Sequence, residues 1–197
     1  MPGISQPAVD LEVSGLIHAA KGGDQEAFAQ IMIHYQRPVW KMAFYTLGRA
    51  EDADDVVQDV FLRVHKYIGG FDCSKRFAPW LYGITDRVCK DHFRKRNQDQ
   101  TFAGEGNVDL RGEPPSQEED MIAAEQRRIF AEALKSLPTR QRQAIILRGI
   151  EGLSSTDAAV VLGTDPATIR QQAGKALVKL TKFVKGHFGR SLVAGQR

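Results

Sequence analysis

The chain has 197 residues, a formal net charge of +3 and 42% hydrophobic residues, so it can form one domain or two small ones with packed cores. No apolar run reaches the roughly 20 residues that a membrane span needs. Because residues 1–15 also lack the basic-then-apolar order of a secretory signal, we expect a cytoplasmic protein without membrane insertion.

The first half of the chain shows the hydrophobic period of four helices, which are separated by glycine pairs at 22–23 and 69–70. Asp24 can cap the second helix. Pro38 lies inside that helix and should kink or split it. The predicted helices cover roughly residues 10–21, 24–47, 52–67 and 77–96.

The third helix is amphipathic, with an apolar face on one side and a charged face on the other. Leu62 interrupts the charged face, and an aliphatic residue within a polar rim has the anatomy of a protein interface. A merely solvated helix face is an equally good interpretation of the pattern. The residues expected to be buried are Val56, Val57, Val60, Phe61 and Val64, and the outer face carries Asp55, Gln58, Asp59, Leu62 and Lys66, with Arg63 beside it.

The fourth helix has aromatic residues at its start and cations behind them. This order suits single-stranded nucleic acid, because bases stack on rings while cations follow phosphates. For the rings, Trp80 in particular, core residues are the stronger interpretation. The preceding segment 69–76 is glycine-rich and ends in basic residues, as a loop that wraps a flipped base would. The apolar stripe is Phe77, Trp80, Leu81, Ile84 and Val88, and the cations are Arg87, Lys90, Arg94, Lys95 and Arg96.

Residues 97–117 are rich in Gly, Pro, Asn and acidic residues, which predicts a flexible linker between two modules. Seven acidic residues against one basic residue lie between positions 101 and 125, whereas nine basic against three acidic residues lie between 137 and 190. An acidic connector between more basic ends is common in proteins that bind polyanions. Further helices are expected at about 118–136 and 139–150.

Residues 152–180 are typical of two short helices joined by a tight turn. Ser154 and Asp165 can cap the two helices, and Gly163 supplies a left-handed stop between them. Pro166 suits the first position of the second helix. A helix-turn-helix with a polar, cationic second helix is the shape that enters a DNA major groove. The apolar stripe of that helix is Ile169, Ala173, Ala176, Leu177 and Leu180, and the opposite face carries Thr168, Gln171, Gln172, Lys175 and Lys179.

Four of these segments, in this order, resemble the extracytoplasmic-function (ECF, group IV) sigma factors of bacterial RNA polymerase. They are residues 54–64, 77–96, 137–163 and 164–180. The resemblance implies an all-α fold of two small helical domains joined by a flexible linker, the second a helix-turn-helix domain. It places a region-2-like domain at 1–96, the linker at 97–117, a region-4-like domain at 118–190 and a tail at 191–197.

The resemblance also implies a non-enzymatic protein that binds the β′ clamp and β flap of core RNA polymerase, recognises promoter DNA and is controlled by an anti-sigma factor. No cofactor, metal or catalytic residue is implied. The residues that match the clamp-binding segment are Asp55, Gln58, Asp59, Leu62 and Arg63. Those for the minus-ten element are Lys75, Arg76, Phe77, Trp80, Arg87, Lys90 and Arg94, and those for the minus-thirty-five element are Thr168, Arg170, Gln171 and Lys175.

Three positions depart from the family's pattern. Arg87 stands where many members have the Asn associated with a flipped minus-ten base, and Arg can instead contact guanine with two hydrogen bonds or stack. Gln171 replaces a common Ser, and Gln172 a common Arg. Because Gln can pair with adenine, the upstream element need not be the commonest one.

One other function is compatible with part of the chain, and a second lacks support. A dimeric transcription regulator would use the helix-turn-helix on a two-fold symmetric operator without polymerase. A nuclease would need a carboxylate cluster with metal-binding spacing, whereas the acidic residues at 52–59 face several directions around one helix. Cys73 and Cys89 lack the spacing of a metal or disulfide framework, so we expect them to be reduced and unpaired.

Overall fold

The computed structural model describes the backbone of residues 6–100 and 121–194 and the side chains of residues 13–96 and 128–186. Every regular element in these ranges is helical, which confirms the predicted all-α fold. The helices are α1 (Gln6–Lys21), α2 (Gln25–Leu47), α3 (Ala50–Tyr67), α4 (Phe77–Gln100), α5 (Met121–Lys135), α6 (Thr139–Ile145), α7 (Ser155–Leu162) and α8 (Pro166–Ala194).

The first half of the chain is organised around α2, which packs against α1, α3 and α4. Each helix contributes one apolar face, because its hydrophobic residues recur with the 3.6-residue period. Ile31, Val60 and Leu81 from α2, α3 and α4 have no exposed surface. This core holds α3 and α4 side by side and leaves the polar face of each towards the outside.

The second half packs α6 and α7 against the first part of α8, and α5 against α8 as well. Leu147, Ile169 and Ala176 are buried at the centre of this group. The helix predicted at 139–150 changes character within its length: after Ile145 it continues as a π-type turn over Ile146–Ile150. The amide of Glu151 then donates to the carbonyl of Ile146 at 3.0 Å.

The α2 helix is a single unbroken helix across Pro38, so the predicted split is wrong. Its start matches the expectation, since Asp24 accepts hydrogen bonds from the amides of Glu26 at 2.9 Å and Ala27 at 3.1 Å. Tyr35 and Val39 are buried on either side of the proline. Because tertiary packing supplies most helical stability in proteins, it can offset the hydrogen bond that proline removes.

Three helix limits differ from the predicted ones. The α1 helix already begins at Gln6, α4 continues to Gln100 past the predicted linker start, and α8 continues to Ala194 into the predicted tail. Residues 97–100 lack the Gly or Pro that would end a helix. Most of the predicted linker, residues 101–117, lies outside the described residues, and the domain limits stay predictions.

Three residues assigned to apolar stripes are less buried than expected. Leu177 is 59% exposed, and Val57 and Trp80 are only partly buried. At 3.6 residues per turn, Leu177 lies about 80° around α8 from Ile169, so it falls at the edge of the stripe. The other stripe positions of α8, Ala173, Ala176 and Leu180, are buried as predicted.

The two halves also pack against each other. The α4 helix lies along α7, and α2 contacts α5 and α6. The rings of Tyr45 and Phe130 meet edge to face across this junction, with their centroids 6.1 Å apart. The buried apolar residues of both halves therefore form one continuous cluster.

Candidate nucleic-acid interface

The start of α8 is set by the turn and cap residues that the sequence predicts, Gly163 and Asp165. Gly163 ends α7 in the left-handed conformation at φ 62°. Asp165 accepts a hydrogen bond from the Thr168 amide at 2.8 Å and another from the Thr168 hydroxyl at 2.5 Å. These hydrogen bonds to Thr168 lower the pKa of the Asp165 carboxyl. The predicted turn and cap are confirmed.

The face of α8 opposite its buried stripe carries the first set of candidate residues. Arg170, Gln171 and Lys175 are exposed, whereas Thr168 is partly buried. Among the described side chains, none forms an ion pair with Arg170 or Lys175. Cations without a protein partner are available to phosphates and base edges, so this face has the polarity of a DNA-reading helix.

The outer face of α4 carries a second set of cations, which differ in having carboxylate partners. The ammonium of Lys90 lies 2.5 Å from Asp86, and the guanidinium of Arg94 lies 3.8 Å from Asp91. Arg87 is exposed one turn earlier on the same helix. These ion pairs hold the cations close to the helix surface.

Aromatic rings at the start of α4 form a compact cluster. The ring centroid of Phe71 lies 5.4 Å from that of Phe77 and 4.9 Å from that of Trp80. Phe77 is only 5% exposed and Trp80 is partly buried. Phe77 therefore supports the loop from within the core, and its ring is not available to stack on a base in this conformation. Lys75 and Arg76, which precede it, are exposed.

The outer face of α3 has the composition of a docking surface. Leu62 is 69% exposed, and Asp55 and Gln58 beside it are exposed as predicted. Asp59 and Arg63 are less available to a binding partner than the sequence predicts, because both side chains contact α4. A carboxylate oxygen of Asp59 lies 2.9 Å from the His92 ring nitrogen, and Arg63 lies 3.0 Å from Asp91.

Three polar contacts join the two halves of the chain. The Tyr82 hydroxyl donates to Glu151 at 2.5 Å, the Gln143 amide donates to Asp86 at 2.9 Å, and the Arg76 guanidinium donates to Asp157 at 2.5 Å. Burial raises the pKa of the Glu151 carboxyl and of the Tyr82 hydroxyl. The junction is therefore a desolvated interface and not a loose surface contact.

A cleft of about 500 Å³ opens beside this junction. Lys90 and Arg94 of α4 lie on its wall together with Thr168 of α8, so candidate residues for both promoter elements face the same space. Arg140 and Arg142 of α6 also line the cleft. The sequence pattern indicated them only as part of the basic charge of the second half.

Two sigma-factor family models match the chain. The model of sigma-70 region 2 matches residues 31–98, and that of sigma-70 region 4 matches residues 127–180. The chain is 30% identical over 169 residues to the ECF RNA polymerase sigma factor SigM of Mycobacterium tuberculosis, covering 86% of this chain and 83% of SigM. The chain belongs to the ECF sigma factors. This family membership selects the sigma factor over the dimeric regulator.

Two solved sigma-factor structures share the fold. CnrH, solved in complex with the cytosolic domain of CnrY, superposes with a TM-score of 0.66 at 26% identity, over 88% of this chain and 97% of CnrH. RpoE of Bartonella quintana, solved with the anti-sigma factor NepR, gives a TM-score of 0.71 at 25% identity, over 80% of this chain and 96% of RpoE.

As a sigma factor, the chain is a transcription initiation factor of a non-enzymatic family. Within the described residues, no group of three or more His, Cys, Asp or Glu side chains is arranged to hold a metal ion, and Cys73 and Cys89 are free thiols. Burial raises the pKa of the Cys89 thiol to about 12. None of the helices in the described ranges combines the length and apolar character of a membrane span.

Proposed function

We propose that this ECF sigma factor docks on core RNA polymerase through the outer face of α3, centred on Leu62. An exposed aliphatic side chain surrounded by Asp55, Gln58 and Asp59 is suited to a partner with an apolar pocket and a basic rim. The ion pair of Arg63 with Asp91 ties this face to α4. Polymerase binding and the orientation of α4 are therefore mechanically linked.

Promoter recognition is divided between α8 and α4 in this proposal. Arg170, Gln171 and Lys175 of α8 enter the major groove of the duplex minus-thirty-five element, because a helix face of this size reads base edges there. On α4, Arg87 contacts a base of the melted minus-ten strand, and Lys90 and Arg94 follow its phosphates. Lys75 and Arg76 extend the cationic track, while Phe77 and Trp80 support the loop.

The packed arrangement of the two halves is best assigned to the free protein. The two promoter elements lie about 25 base pairs apart, which is roughly 85 Å at 3.4 Å per base pair. In contrast, Lys90 and Thr168 line one cleft of about 500 Å³. We therefore propose that the contacts of Tyr82 with Glu151 and of Gln143 with Asp86 break when the factor binds polymerase and promoter.

An anti-sigma factor is the proposed antagonist, acting in the cytoplasm where polymerase resides. Both CnrH and RpoE, the two structural neighbours, were solved with protein partners, and NepR is named an anti-sigma factor. We propose that the chain itself has no catalytic activity and that the β flap of polymerase is a further contact of its second half.

Co-elution with purified core polymerase tests the docking face. The chain should co-elute with core polymerase in gel filtration, and a Gln58→Ala, Asp59→Arg double variant should not. Glu26→Arg reverses another exposed acidic residue on α2 and should leave co-elution intact. Co-elution that survives the double variant would refute the docking face, and a failure of the unaltered chain to co-elute would refute the proposed function.

A further inference from the structure

The cleft between the two halves has an unusual charge composition. Among the described residues, five cations line it and no carboxylate does. Low-dielectric walls lined by charges of one sign focus the electrostatic potential inside a cleft. Its volume of about 500 Å³ also lies within the range of small-molecule sites. The cations are Lys90, Arg94, Arg96, Arg140 and Arg142.

Three of these cations have carboxylate partners outside the cleft wall. Lys90 pairs with Asp86, Arg94 lies 3.8 Å from Asp91, and Arg96 lies 3.2 Å from Asp52. The remaining two, both on α6, form no ion pair with any described side chain. Because Asp91 also pairs with Arg63 at 3.0 Å, the cleft has an excess of at least two positive charges, which include Arg140 and Arg142.

Arg142 is the most informative of the five. It is 9% exposed, and its buried Nε has no hydrogen-bond partner in the part of the chain that the structure describes. The same holds for the buried Nε of Arg96. Burial lowers the pKa of the Arg142 guanidinium. A desolvated, unpaired guanidinium costs free energy, and an anion in the cleft would offset that cost.

The rest of the wall combines threonine and glutamine side chains with an apolar and aromatic part. Leu47, Leu162 and Ile169 line it, and so does Phe93, which is 47% exposed although it is a large aromatic residue. The Arg96 guanidinium lies over the Phe93 ring, 5.5 Å from its centroid. A ring with one accessible face beside several cations is the arrangement that holds a base and its phosphates.

We infer that this cleft binds a nucleoside di- or triphosphate, with the phosphates at Arg140 and Arg142 and the base against Phe93. Because both halves contribute to the wall, the bound nucleotide stabilises their packed arrangement. It also occupies Lys90, Arg94 and Thr168, so it competes with promoter DNA. The expected competition with promoter DNA rests on the proposed function. Nucleotide binding by the free chain can be tested without it.

Isothermal titration of the full chain with magnesium-free ATP tests the site. ATP should bind with a stoichiometry of one, and adenosine and pyrophosphate should each bind at least about tenfold more weakly, since each lacks one half of the recognised chemistry. No binding at about 1 mM ATP, or adenosine binding as tightly as ATP, would overturn the inference.

Variants of the two unpaired arginines identify the site. Arg140→Met and Arg142→Met should each weaken ATP binding at least about tenfold, since each removes a charge-assisted hydrogen bond to a phosphate. Arg148→Met is the matched control, because Arg148 is exposed on the π-type turn and does not line the cleft. Circular dichroism verifies folding, and Arg140, which is exposed, keeps the test valid if the Arg142 variant unfolds.

Two further outcomes would contradict the inference. An equal loss of ATP affinity in the Arg148 control would show diffuse attraction to a basic surface. A 12-nucleotide single strand that binds in an Arg142-dependent manner, while ATP does not bind, would assign the cleft to DNA.

Discussion

The α4 and α8 helices present the same kinds of side chain but prepare them differently. On α4, Lys90 pairs with Asp86 and Arg94 lies near Asp91, whereas Arg170 and Lys175 on α8 have no ion-pair partner among the described residues. A phosphate that binds Lys90 or Arg94 must replace a carboxylate, so its net gain in binding free energy is small, whereas Arg87 on the same helix forms no ion pair with a described side chain. Binding to α8 carries no such exchange. The comparison indicates that α8 supplies affinity for duplex DNA, and that α4 acts after α8 has brought the strand close.

The largest expected effect falls on α8. Arg170→Ala and Lys175→Ala should each weaken binding to a duplex selected for this protein by about 1–3 kcal/mol if the side chain reads a base. A phosphate contact would instead weaken binding to all sequences and reduce the salt slope by about 1. Fluorescence anisotropy at several salt concentrations measures both.

Lys182→Ala is the control for the α8 variants, because Lys182 is exposed later on the same helix. If it lowers affinity as much as the other two changes, α8 binds through its overall charge and the comparison with α4 fails.

The junction that brings the two helices together gives the next effect. Tyr82→Phe leaves the partly buried Glu151 carboxylate without its donor and should destabilise the full chain by about 1–3 kcal/mol. Glu151→Gln keeps an acceptor for the Tyr82 hydroxyl and removes a partly buried charge, so its stability should equal or exceed that of the unaltered chain. Urea unfolding followed by circular dichroism compares them, and equal destabilisation by both changes would contradict the desolvated junction.

The cap that orients α8 gives a smaller effect. Asp165→Ala should cost about 0.5–2 kcal/mol of stability, and Asp165→Asn much less, because Asn also caps. The pKa of Asp165 in the folded chain is below its ordinary value of 3.8. The stability that the Asp165 carboxylate contributes is therefore fully present above pH 3.8 and is lost as the pH falls through the lowered pKa. Urea unfolding at pH 7 and pH 3 should show the Ala variant's deficit shrinking at pH 3.

The smallest effect tests the ion pairs of α4. Asp91→Asn removes the carboxylate that holds Arg63 and Arg94, and should increase affinity for single-stranded DNA by roughly 0.2–1 kcal/mol. Glu132→Gln removes a comparable carboxylate, 3.8 Å from Arg128 on α5, and should leave that affinity unchanged. Unchanged affinity in the Asp91 variant would mean that its ion pairs do not restrain α4.

The sequence correctly predicted the features that depend only on neighbouring residues. The caps at Asp24, Ser154 and Asp165 and the stop at Gly163 follow from a few neighbouring residues, and the structure confirms them. The sequence could not predict features that depend on distant partners. Tyr82 and Glu151 are 69 positions apart, and no periodicity brings them together.

The unbroken α2 helix could not be predicted for the same reason. The packing that offsets the hydrogen bond lost at Pro38 comes from other helices. The cleft was also missed, because the chain separates its α4 and α6 cations by more than 40 positions. Only the folded arrangement of the two halves places Arg94 and Arg140 around one space.

If this chain directs core polymerase to specific promoters, it should do so on genomic DNA of the source bacterium. Purified core polymerase would transcribe that DNA with and without the chain, and the RNA 5′ ends would be mapped. We expect discrete start sites that appear only with the chain, are lost with the Gln58→Ala, Asp59→Arg double variant, and persist with Glu26→Arg. Identical RNA ends with and without the chain would contradict it.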